Sequence, residues 1–72
     1  MTADQLRELA ALSGPAFDRM WLELMIQHHE GAVDMAEEVV GTGRHAPTRR
    51  LATEIIEVQE AEIARMRALL AG

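Results

Sequence analysis

The sequence predicts an all-α protein, in which a short N-terminal helix precedes an antiparallel hairpin of two long helices. Three observations support this fold class. Apolar residues recur at intervals of three to four along most of the chain, and no segment alternates in the manner of a half-buried strand. The strongest breaks are two glycine-containing stretches, Gly14-Pro15 and Gly41-Thr42-Gly43.

These breaks divide the chain of 72 residues into three predicted helices within one domain. The short helix covers about residues 3–12, and the long helices cover about residues 15–40 and 47–70. Pro47 suits an early position of the last helix, because the missing N–H of proline leaves no helical hydrogen bond unmade there.

The first long helix has an apolar arc that is wider than one neighbouring helix can cover. One stripe contains Phe17, Trp21, Leu24, His28, Ala32, Met35 and Val39, and a second stripe beside it contains Leu22, Ile26, His29, Val33, Ala36 and Val40. A chain this short buries too little surface to be strongly stabilised alone. We therefore expect a homo-oligomer, a dimer first, in which two hairpins complete a four-helix bundle.

Both long helices carry polar side chains where the periodicity demands apolar ones. His28 lies in the middle of the first stripe, and Gln59 and Glu62 lie centrally on the apolar stripe of the last helix. In an antiparallel hairpin, residues at the same height have numbers that add up to about 89, which brings His28 level with Glu62. Burying these groups unpaired would cost a few kcal/mol each, so we expect them to satisfy one another or a ligand.

The residues alone leave two interpretations of this cluster open. In the first, His28 binds a metal ion together with Met25 and Met66, since imidazole and thioether groups suit copper; Met35 lies about 10 Å further along the axis. In the second, His28 donates to Glu62 in a buried polar network without metal, and the methionines fill space.

The other two histidines have different expected surroundings. His29 lies about 100° around the helix from His28, so it cannot easily face the same ion, and we expect it at an oligomer seam. His45, in the predicted loop, is expected in solvent.

Composition argues against several classes of protein. The formal net charge of −5 disfavours nucleic acid, which requires a concentrated Lys/Arg surface. No apolar stretch reaches the roughly 20 residues needed for membrane insertion. No nucleophile is paired with a base and no phosphate-binding glycine loop is present, so we expect no enzyme. The start MTADQLRELA lacks the pattern of a secretion signal, which predicts the cytoplasm if the chain is complete.

The stretches FDRMWLELMIQHHEGAVDMAEEV and LATEIIEVQEAEIARMRALL resemble the bacterial family called domain of unknown function 305. Its pattern combines Phe-Asp, Met-Ile-x-His-His-x-Gly-Ala, Met-Ala and a later Ile-Ile-x-x-Gln-x-x-Glu-Ile-x-x-Met. The matching positions are Phe17, Asp18, Met25, Ile26, His28, His29, Gly31, Ala32, Met35, Ala36, Ile55, Ile56, Gln59, Glu62, Ile63 and Met66.

The resemblance implies a ferritin-like helical bundle, export or attachment to the bacterial cell envelope, and copper as the bound metal, with zinc or iron as alternatives. It implies that His28, Met25, Met35 and Met66 are ligands, with His29 as a further candidate. Glu62 and Gln59 are expected to orient the imidazole from outside the coordination sphere. The function expected is copper binding, buffering or transfer to an unidentified protein; the alternative is a structural or protein-interaction module.

Overall fold

The computed structural model describes all residues from 1 to 72 and confirms the all-α hairpin preceded by a short helix. The helices are α1 (Ala3–Ala10), α2 (Gly14–Thr42) and α3 (Ala46–Ala71). The second helix begins one residue earlier and ends two residues later than the sequence predicted, and the first is shorter. None of the three combines the length and apolar character required to span a bilayer.

Local signals explain where the helices begin. Thr2 caps α1 in a reciprocal box, accepting a hydrogen bond from the Gln5 backbone while its own N–H donates to the Gln5 side chain. Gly14, at the start of α2, has a φ of 61°, a left-handed conformation that glycine adopts without a steric penalty. Proline lies in the first turn of both long helices, where its fixed φ is favourable.

A short loop of residues 43–45 turns the chain from α2 into α3. The Gly43 N–H donates to the Val39 carbonyl at 2.7 Å, and the Arg49 guanidinium donates to the Gly43 carbonyl at 2.9 Å. A Cβ at position 43 would lie 2.5 Å from the Val39 oxygen, so the turn requires glycine. The loop is therefore hydrogen-bonded to both α2 and α3 through Gly43.

The core of the hairpin is small. Ile26 and Val33 of α2 pack with Ile63 of α3, and Met66 is one of the half-buried side chains that pack against this cluster. Ala36 and Ala52 are also buried, and their small side chains permit close approach of the two helices. The short helix α1 packs against α2 and contributes Leu9 as its one buried residue.

The second apolar stripe of α2, not the stripe through His28, is the one that packs against α3. Three residues of the second stripe are buried, namely Ile26, Val33 and Ala36. Of the first stripe only Leu24 is buried, and Trp21, His28 and Met35 are exposed. The sequence prediction that His28 lies at the centre of the packed face is thus wrong. One helix can cover only part of a wide apolar arc, and α3 covers the part that contains His29.

The two sides of the hairpin differ in charge. On one side the helices expose Glu30, Asp34, Glu60 and Arg67, and Arg67 pairs with Glu30 at 3.5 Å. The other side, which we call the open face, is formed by Trp21, His28, Ala32, Met35 and Val39 of α2 and by Leu51, Ile55, Val58, Glu62 and Leu69 of α3. An apolar groove runs along its loop end.

The Ile63→Ala substitution tests the core. Because Ile63 is buried against Ile26 and Val33, we expect the free energy of unfolding to fall by about 2–5 kcal/mol. Urea unfolding followed by far-ultraviolet circular dichroism measures the loss. The milder Ile63→Val, at about 1 kcal/mol, serves if the alanine variant is mostly unfolded. Leu6→Ala, at a side chain that is 53% exposed, is the control; an equal loss there would contradict this core.

Candidate functional site

A histidine–glutamate pair joins α2 to α3 near the middle of the hairpin. His29 Nε2 contacts Glu62 Oε2, and His29 Nδ1 lies 2.7 Å from the Met25 carbonyl oxygen. The His29 side chain is only 12% exposed, whereas that of Glu62 is 47% exposed. The imidazole is therefore held by a backbone carbonyl of its own helix, and its other nitrogen faces α3.

The hydrogen-bond partners determine how the His29 ring is protonated. A backbone carbonyl can only accept, so Nδ1 carries a hydrogen and donates it to Met25. In a neutral ring, Nε2 then has a lone pair, and it faces a carboxylate oxygen of Glu62 that also has lone pairs. Two lone pairs repel each other, so a hydrogen between these two atoms is what makes the contact a hydrogen bond. Because the atoms are in direct contact, a metal ion at Nε2 requires the Glu62 side chain to move aside.

One methionine on each helix lies one turn away from this pair. Met25 precedes His29 by four residues, and Met66 follows Glu62 by four residues, so each methionine lies on the same side of its helix as its polar neighbour. In the antiparallel register set by the His29–Glu62 contact, Met25 and Met66 lie at the same height. Both are half-buried. We call these four residues the quartet.

The structure corrects the predicted partner of Glu62. His29, rather than His28, makes this contact, because the packed face of α2 is the second apolar stripe. His28 is exposed, and its ring is turned by 75° relative to the ring of His29. Gln59 is not a partner of His29, since Met25 and Glu62 occupy both ring nitrogens.

The remaining candidates lie apart from the quartet. Met35 is exposed and lines the apolar groove with Leu51 and Ile55. His45 is exposed, as expected, and its Nδ1 lies 2.8 Å from the Thr48 hydroxyl at the start of α3. Within one chain, the structure brings Met25, Met66, His29 and Glu62 into one region and leaves His28 and Met35 on the open face.

The donor chemistry of the quartet limits which ion it suits. No group of three or more His, Asp or Glu side chains is placed to hold a metal ion. Any metal at the quartet would depend on thioether sulfur. Thioethers favour soft Cu(I), and the bond from Nδ1 to a backbone carbonyl is the usual way in which a metal-binding histidine is oriented.

Glu62→Ala tests the pair in the metal-free protein. Removal of the carboxylate leaves the half-buried His29 Nε2 without its partner, and we expect the free energy of unfolding to fall by about 1 kcal/mol. Glu60→Ala, at an exposed carboxylate on the other side of α3, is the matched control and should change it by less than about 0.5 kcal/mol. Urea unfolding compares the two. Equal values would show that the His29–Glu62 contact contributes nothing.

Comparisons with known proteins identify a family but no characterised relative. No curated protein and no solved structure matches the chain. The model of one protein family, described as "Domain of unknown function (DUF305)", matches residues 1–70. This match covers all three helices and confirms the resemblance carried by the paired histidines and the later Gln-x-x-Glu-Ile-x-x-Met. The chain belongs to the DUF305 family.

Proposed function

We propose that this protein binds a Cu(I) ion as cargo at the quartet of Met25, His29, Glu62 and Met66. The observation that carries the proposal is the orientation of His29: its Nδ1 is tied to the Met25 carbonyl, so its Nε2 lone pair faces a carboxylate. A hydrogen satisfies this pair in the metal-free protein, and a metal ion at Nε2 would replace it once the Glu62 side chain moves aside. The two thioethers beside it favour a soft monovalent ion over zinc or iron.

Each member of the quartet has a distinct part in this proposal. The His29 Nε2 atom supplies the nitrogen ligand, and the sulfur atoms of Met25 and Met66 supply soft ligands from both helices. Glu62, which is partly exposed, supplies negative charge that balances the ion. The half-buried methionines limit access of water, which protects Cu(I) from oxidation.

The proposal favours binding and transfer over catalysis. The Glu62 side chain of the quartet is 47% exposed, so an ion held beside it is accessible to another protein. Thioether and imidazole ligands release Cu(I) readily to a competing set of the same ligands. A protein that buffers copper or hands it over needs this accessibility.

A structural role for the same residues is the second candidate. Met25 and Glu62 together satisfy both ring nitrogens of His29, and no buried side-chain nitrogen or oxygen lacks a partner. A polar pair of this kind across two helices can fix their register. In this case His29 carries a proton instead of a metal ion, and the methionines only fill space.

Anaerobic titration with Cu(I) against a chromophoric chelator separates the two candidates. We expect stoichiometric binding by the wild type, and a loss of affinity of at least about tenfold in His29→Ala and in the double variant Met25→Leu/Met66→Leu. The leucine changes keep the apolar volume, so the fold should persist. Circular dichroism checks this.

Two matched controls lie outside the quartet. His45→Ala removes the loop histidine, and Met20→Leu removes a half-buried methionine elsewhere on α2; both should bind Cu(I) as the wild type does. A wild type that does not compete with the chelator, or a His29→Ala variant with unchanged affinity, would reject the copper site and leave the structural role.

A further inference from the structure

The hairpin exposes more surface than a folded chain of its mass should. Its accessible surface is 5328 Å², whereas a monomer of 8.0 kDa is expected to expose about 4,450 Å². The excess of about 900 Å² is close to the roughly 800 Å² that each partner buries in a standard stable interface. The open face is the apolar surface available for this burial.

Side chains on the open face are arranged at three matching heights. Trp21 and Leu69 line one depression at the end near α1, and Met35 and Ile55 line the groove at the loop end. Midway between them, Glu62 of α3 lies level with the two histidines of α2.

The spacing along each helix explains the match. Trp21, His28 and Met35 follow one another at intervals of seven residues on α2, and so do Ile55, Glu62 and Leu69 on α3. A seven-residue interval returns to nearly the same side of a helix. The two helices thus present parallel stripes, each with two apolar residues and one polar residue between them. All six are exposed.

We infer that a second copy of this chain covers the open face, related by a two-fold axis parallel to the helices. Such an axis leaves every residue at its own height and lays α2 of one copy over α3 of the other, with neighbouring helices antiparallel as in up-and-down bundles. Trp21 then meets the partner's Leu69, Met35 meets the partner's Ile55, and His28 meets the partner's Glu62. Apolar side chains face apolar ones, and the histidine faces the carboxylate.

The other two-fold arrangement matches the apolar residues but opposes like charges. An axis across the helices would lay α2 over the partner's α2. At the height of His28 it sets Trp21 against the partner's Met35 and Leu69 against the partner's Ile55, but it also sets Glu62 against the partner's Glu62, which places like charges together. The charged side of each hairpin, with Glu30, Asp34 and Glu60, stays in solvent in both cases. The pairing of His28 with a carboxylate, instead of Glu62 with a second Glu62, therefore selects the axis parallel to the helices.

This arrangement completes the site, an inference that rests on the copper site proposed above. Glu62 would lie between His29 of its own chain and His28 of the partner. The partner's His28 is then a second nitrogen ligand for the ion at the quartet. His28 would serve the site of the other chain, which explains an exposed histidine in the middle of an otherwise apolar stripe.

Cysteine pairs test the geometry without metal, because the chain has no cysteine of its own. Met35→Cys and Ile55→Cys proteins are mixed, refolded together from urea and oxidised under mild conditions. We expect a Met35→Cys/Ile55→Cys heterodimer as the main cross-linked product. A mixture of Trp21→Cys with Met35→Cys is the control for the other axis and should yield little heterodimer. The reverse result, or a monomer in sedimentation equilibrium of the wild type at all concentrations, would overturn the arrangement.

Mixed variants test whether the site is shared between chains. In His28→Ala and in His29→Ala, every site lacks one nitrogen ligand, so each variant alone should bind Cu(I) at least about tenfold more weakly than the wild type. A refolded one-to-one mixture contains heterodimers that have one complete site each. Tight binding should return for about one quarter of the chains, because half of randomly formed dimers are mixed.

A mixture of His29→Ala with Glu62→Ala is the negative control, since both changes remove ligands of the same chain and no complete site can form. Recovery in neither mixture, with normal binding by the wild type, would overturn the shared site and leave the copper proposal intact. A wild type that does not bind Cu(I) would instead reject the copper proposal, while the cross-links would still report the pairing of chains.

Discussion

The width of the apolar arc on α2 is the constraint on which the rest of this structure depends. One helix can cover only part of it, and α3 covers the part centred on Ile26 and Val33. The remaining part stays exposed, and with it Met35 and His28. The apolar arc of α2 is wider than the surface that α3 can bury. The core is therefore small, and one side of the hairpin stays apolar while the other is charged.

The sequence predicted the helices and their register well, because these depend on local signals. Gly14 and Gly43 mark the turns, and the antiparallel register follows once the loop is short. The predicted height of Glu62 opposite the paired histidines is confirmed by its contact with His29. The extra residues at the end of α2 show only that Gly41 did not stop the helix.

The choice between the two histidines could not be predicted in the same way. Both stripes of α2 are apolar enough to pack against α3. The free energies of burying one stripe or the other are therefore similar, and only their small difference selects the stripe that packs. One signal was present: Ala36, in the second stripe, and Ala52 of α3 permit close approach near the loop, and both are buried. The methionines were predicted at the correct heights, but the sequence could not show that Met35 is exposed while Met66 packs against the core.

The tight loop of residues 43–45 has a consequence for the evolution of this chain. Surface loops usually tolerate inserted residues. This loop, however, sets the register between α2 and α3 through the hydrogen bonds at Gly43. A shift of α3 by one residue turns its side chains by about 100° and carries Glu62 away from His29. An insertion in this loop would leave all three helices intact but would separate Glu62 from His29. The length of the loop is therefore under a stronger constraint than the exact composition of the core.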